Sequence, residues 1–195
     1  MRESDLDGYA DIQYRVGKLL FLMSTGEDVD LKESANYFKK ALEDGKMAEA
    51  TDENVVKRAK LAQSLRTIGE YVGTLDTRTS AFREEEYTYA TLWGDLNALV
   101  ENNSIDSMGS RAYGIALYSR VASMVVDNYA EFASEGISAA EMLALLDTVD
   151  EALADTEASL TTSEISRGFN TLIDNAQRNI NTARMMIGGL KGGAD

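Results

Sequence analysis

Residues 165–187 read ISRGFNTLIDNAQRNINTARMMI. Within this stretch Ile165, Phe169, Leu172, Ala176, Ile180, Ala183 and Ile187 recur at steps of 4, 3, 4, 4, 3 and 4. An α-helix brings residues three and four apart onto one face, so this spacing predicts an amphipathic helix with a single apolar stripe. A second stripe, Leu61, Leu65, Ile68, Val72 and Leu75, keeps strict steps of 4, 3, 4 and 3, the spacing of a coiled-coil-like seam. These two seams set the fold class: all-α, an elongated helical bundle of about six or seven helices. No stretch shows the alternation of a half-buried strand.

Outward from the seams, the punctuation of the chain divides it. The first helix is expected over residues 6–24, with Leu6, Tyr9, Val16, Leu19 and Met23 on one side. A turn rich in acids and glycine follows at residues 26–30, and a second helix carries Ala35, Phe38, Ala41 and Leu42 as far as Gly45. Residues 1–50 thus form an N-terminal helical hairpin. The pattern blurs over residues 76–80 and resumes through Phe82, Tyr89, Trp93, Leu96 and Val100. Residues 51–101 therefore read as one long helix or as a helix pair. After a loop at residues 102–110, a C-terminal three-helix region runs to residue 195, and the whole is expected to fold as one cooperative domain.

Within that region the helix expected over residues 111–133 is the most apolar, with Ala112, Ile115, Ala116, Val121, Met124 and Val125, so it is expected to lie centrally. Two helix starts are written locally. Ser138 with Glu141, and Thr161 with Glu164, have capping-box spacing; Ile137 with Met142 and Leu160 with Ile165 supply the matching hydrophobic staples. The last helix is expected to run from this second box to Gly188-Gly189, leaving a short tail.

Composition removes more functions than it suggests. The 195 residues contain no proline, cysteine or histidine. Disulfides, thiol chemistry, Cys/His zinc sites and imidazole acid–base catalysis are excluded. No glycine precedes a Lys-Ser or Lys-Thr pair, so there is no P-loop. The formal charge of −14 repels phosphate, so neither nucleic acid nor an anionic membrane is an expected partner. The apolar runs are too short to span a bilayer, and the first residues, Met1-Arg2-Glu3-Ser4-Asp5, lack signal-peptide order. A cytoplasmic, virion or signal-less exported location follows as the expectation.

The charges are unevenly spread. Residues 121–166 hold ten acids and no lysine or arginine, whereas Arg167, Arg178, Arg184 and Lys191 follow them. The two surfaces could pair within one chain or between copies. Asp147, Glu151 and Asp155 recur every four residues and could offer oxygen ligands to a cation, but no partner acids stand at ligand spacing, and a solvated helix face accounts for them. Asp28-Val29-Asp30 begins like a calcium loop and fails, because Glu33 and Lys39 occupy the positions of the turn glycine and the bidentate acid. Tyr87, Tyr89, Trp93, Tyr113, Tyr118 and Tyr129 read as core aromatics, with a pocket or interface as the alternative.

Ile12-Gln13-Tyr14-Arg15-Val16-Gly17, then Gly26, Ala35, Tyr37-Phe38, Ala41 and Gly45 give residues 12–45 a resemblance to a single Sel-like repeat, a relative of the tetratricopeptide repeat. The resemblance implies a helical hairpin whose first-helix glycine allows close packing and whose spaced alanines let the second helix nest. It covers about a sixth of the chain, without the further copies an array needs. In composition the chain is also similar to helical filament and virion structural proteins. Its segment 175–180 (NAQRNI) resembles part of a flagellin N-terminal helix, but at the opposite end of the chain.

The function expected from these features is a non-catalytic assembly protein, a virion component or secreted filament subunit, needing no cofactor. Its partners would be itself, as homo-oligomer or filament, or a larger protein assembly. The expected contact residues are Leu61, Leu65, Ile68, Val72, Leu75, Ile165, Phe169, Leu172, Ile180 and Ile187. The alternatives are a soluble acidic adaptor for a peptide or basic protein, and a carboxylate-only enzyme.

Overall fold

The computed structural model describes residues 3–23, 28–44, 53–71, 88–103 and 108–190. Every element among them is an α-helix: α1 (Glu3–Met23), α2 (Asp28–Asp44), α3 (Glu53–Tyr71), α4 (Tyr89–Asn102), α5 (Met108–Asp127), α6 (Tyr129–Ser134), α7 (Ala139–Ala158), α8 (Thr162–Ser166) and α9 (Phe169–Leu190). The chain divides into two compact units, Met1–Asn103 and Ser104–Asp195. The expected hairpin and the segment after it therefore share the first unit. Val72, Leu75, Phe82, Tyr87, the turn around Gly26, Gly45 and the tail after residue 190 lie outside the described residues.

In the first unit α2 packs on α1 and α3, and α3 packs on α4. The buried side of α1 is Ala10, Gln13, Tyr14, Gly17 and Phe21. This corrects the expected face: Leu19 is 59% exposed, as is Ile12, and Val16 is only half-buried. Small residues decide the matter, because α2 can approach α1 only where the surface is low. Phe38, fully buried, lies against Gly17 and meets Tyr14 edge to face at 5.9 Å between ring centres. Ala35 and Ala41 flank it, and the Ser34 hydroxyl donates to the Gly17 carbonyl at 2.8 Å. On α3 and α4 the interior is Ala59, Leu61, Ala62, Leu65 and Ile68 with Tyr89, Leu92, Leu96, Leu99 and Val100.

Two helices expected to be continuous in the second unit are broken, which raises the number of described helices to nine. The first break is at Asn128, whose side chain donates to the Met124 carbonyl at 2.8 Å and competes with helical continuation. After α6 the chain turns in a Schellman motif: Gly136, at φ +89°, donates to Ala133, and Ile137 donates to Phe132. The second break is at Gly168, where φ is +84°. An L-residue rarely adopts this left-handed conformation, and here it ends α8 and re-aims the chain into α9. Around α9 are packed α5, α7 and α8, and α5 in turn packs on α7 and α9 and reaches α8 through Arg111.

Both expected capping boxes are present. Ser138 accepts from the Glu141 N–H while the Glu141 carboxylate accepts from the Ser138 N–H, and Thr161 and Glu164 repeat the arrangement. Thr88 and Thr91 form a third at the start of α4. Ile137 and Met142 are buried as a staple should be, whereas Ile165 stands 48% exposed.

Candidate interaction surface

α9 carries the buried stripe Ile173, Ala176, Ile180, Ala183 and Ile187, all at 1% exposure or less. Its steps are 3, 4, 3 and 4, which keep all five on one face of α9. The break at Gly168 takes Ile165 off this line, and within α9 packing buries Ile173 and leaves Leu172 exposed. Ile173 is the core residue of α9 that the sequence stripe misses, because that stripe runs through Leu172.

The ten expected contact residues thus fall into three groups. Leu61, Leu65 and Ile68 in the first unit, and Ile180 and Ile187 in the second, are sealed inside their own units. A side chain with no surface left offers nothing to a partner, so these five are core. Val72 and Leu75 lie outside the described residues. Phe169 is half-buried, while Ile165 and Leu172 are exposed, Leu172 at 40%.

What α9 leaves open is a second ridge, one residue behind the buried one. Leu172, Asn175, Asn179, Thr182, Met186 and Gly189 follow steps of 3, 4, 3, 4 and 3, and all six are exposed. The ridge is about 25 Å long from helical rise. It carries no charge. Met186 is 47% exposed, and Met185 on the far side of the helix is 71% exposed. Asn179 is tied to α5 through a 2.7 Å bond from its amide to the Ser119 hydroxyl, which orients the middle of the ridge. Gly188 and Gly189 face open space: an added Cβ would meet nothing within 4 Å.

The acidic helix α7 is partly answered within the chain. Arg184 of α9 reaches Asp147 at 2.6 Å and Asp150 at 2.7 Å. Glu151, Asp155 and Glu157 on α7 remain exposed. Deeper in the unit, the Arg111 guanidinium of α5 holds Glu164 at 2.9 Å, and the Glu164 side chain is almost wholly enclosed. Glu164 also accepts from the Thr161 backbone N–H at 2.9 Å and hydroxyl at 2.8 Å. These bonds, Thr161's first, hold its carboxyl below the ordinary carboxylate range. Glu141 is likewise shifted down by the Ser138 hydroxyl and N–H. The Arg111 partner could not be read from sequence, because 53 residues separate the pair.

Among the described residues there is no group of three or more acids placed to hold a metal ion. Nor is any described helix long and apolar enough to cross a membrane. Comparison with protein-family models, curated proteins and solved structures found no match.

Proposed function

We propose that the chain is a non-catalytic assembly protein that works through helix–helix contacts, as a virion component or an exported filament subunit would. The observation that carries this reading is the double character of α9. Its apolar stripe is already complete inside the chain, yet Leu172, Met185 and Met186 stand on its outer surface at 40%, 71% and 47% exposure. Methionine is flexible and polarisable and suits an adaptable contact surface. Burial of such side chains is worth about 25 cal/mol per Å² of apolar area, enough to favour association when several meet. The contact residues thereby move from the sealed seams to the exposed face of α9. Sedimentation velocity over a wide concentration range tests the reading: a mass that grows in multiples of 21.3 kDa supports it, and a single 21.3 kDa species at all concentrations, with no larger assembly recovered, overturns it.

A second reading, an acidic adaptor for a cationic protein or peptide, is favoured by the exposed Glu151, Asp155 and Glu157 on α7. It requires a complex that weakens steeply with salt. Binding of a polycationic peptide that persists unchanged in high salt counts against it.

A further inference from the structure

We infer that residues 159–168, the strap joining α7 to α9, open as a unit while the helices on either side stay folded. The Arg111–Glu164 ion pair is the latch that holds the strap shut, and the opening is independent of any partner.

Burial picks out the strap. Among residues 157–172 one alone is buried, and it is Glu164, a carboxylate. Leu160 and Phe169 are half-buried, and Ile165 stands 48% exposed. No apolar side chain of this stretch is fully sealed. The helices it joins are sealed by fully buried residues, α7 by Leu146, Val149 and Leu153, α9 by Ile173, Ile180 and Ile187. Local opening is easiest where buried apolar contact is least, so the strap opens before either helix.

Polar bonds stand in for a core. Arg111 Nη1 of α5 donates to Glu164 Oε1 at 3.1 Å and Oε2 at 2.9 Å, and to the Ser159 carbonyl at 3.4 Å. One guanidinium nitrogen thus holds both the start and the middle of the strap. The bonds from Thr161 to Glu164 lie within the strap and tie it to itself rather than to α5. Without the Arg111 cation the enclosed carboxylate would be left unpaired, and lifting it into water is the least costly relief. Arg111 is itself 17% exposed, so water already stands at the latch.

Both ends of the strap are jointed. α7 ends at Ser159, and Gly168, at φ +84°, interrupts the chain before α9. Turning at these two residues lifts the strap without unwinding either neighbour. Lifted, it offers the Arg167–Gly168 bond to a protease in extended form.

Backbone hydrogen exchange in the full chain at neutral pH tests this. Amides of residues 164–168 are expected to exchange about 100-fold faster than those of residues 145–153 and 173–187. Urea below the unfolding transition is expected to speed exchange in those two ranges and leave the strap nearly unchanged, because a local opening exposes little surface. Glu164→Gln and Arg111→Gln are each expected to speed strap exchange by about 10-fold or more. Glutamine at 164 can still close the capping box with Thr161, so that variant isolates the latch. Trypsin cleavage after Arg167 should rise by the same factor. Strap amides that exchange as slowly as the helices, or answer urea as they do, show that the strap opens only with the whole unit and overturn the inference. Strap exchange and cleavage that ignore both substitutions overturn the latch. Loss of helix by circular dichroism in both variants also overturns it, since the pair would then hold the unit and not the strap.

Discussion

Three carbons of the Phe38 ring lie 3.2 Å from where a Cβ on Gly17 would stand. α1 and α2 therefore meet as closely as they do because residue 17 has no side chain, and Phe38 fills the space with no surface left exposed. Tyr14 braces the ring from its edge, so Phe38 has little room to retreat.

Gly17→Ala sets helix propensity against packing. Alanine favours a helix over glycine by about 1 kcal/mol, and overfilling a packed site costs about 1–3 kcal/mol. With Phe38 confined, the clash wins, and a net loss of about 1 kcal/mol is expected in urea unfolding. Gly94→Ala, in α4 with open space around it, is expected to stabilise by about 0.5–1 kcal/mol. Equal effects at the two positions would refute the packing account.

On α9 the two sides of the helix should respond differently. Ile180→Ala empties a fully buried site and is expected to cost about 3 kcal/mol. Met185→Ala on the opposite side is expected to change stability by less than about 0.5 kcal/mol. The pair of urea midpoints checks which stripe is core.

Arg184 joins α9 to α7 at the surface, with side-chain exposures of 28% for itself, 60% for Asp147 and 31% for Asp150. Water and salt screen such pairs, so Arg184→Gln is expected to cost less than about 1 kcal/mol. That loss should fade at about 1 M salt, where the screening length is only about 3 Å. A loss that survives high salt would mean packing, not charge, holds the residue.

Acid should act through Glu164. Its folded-state pKa lies below the unfolded value, so its stabilisation is present above the ordinary glutamate pKa of about 4.3 and is lost as pH falls through the lower folded value. Glu164→Gln is therefore expected to flatten the stability–pH curve below about pH 5 relative to the parent chain. Chemical denaturation at several pH values reads this directly; parallel curves would show that the carboxylate is not held as described.

Helix class, the two C-terminal capping boxes and the low-lying α2 stripe of Ala35, Phe38 and Ala41 were all legible along the chain. Each is a local matter: a cap spans four residues, and a stripe repeats within two turns. The faces were less legible. On α1 the larger aliphatics Val16 and Leu19 suggested the inner side, but the helix turns Gly17 and Ala10 inward because α2 needs clearance there. On α9 the apolar positions on both sides of Gly168 could be joined into one stripe on paper. Only a positive φ at that glycine separates them.

The amino-acid order alone settled that this chain is helical, acidic and without thiol or imidazole chemistry, because composition and period-3.6 spacing need no knowledge of neighbours. Tertiary structure decided which of two adjoining α9 ridges is core. Burial is conferred by whatever packs against a helix: α5, α7 and α8 close over Ile173, Ile180 and Ile187, and leave Leu172 and Met186 on the surface.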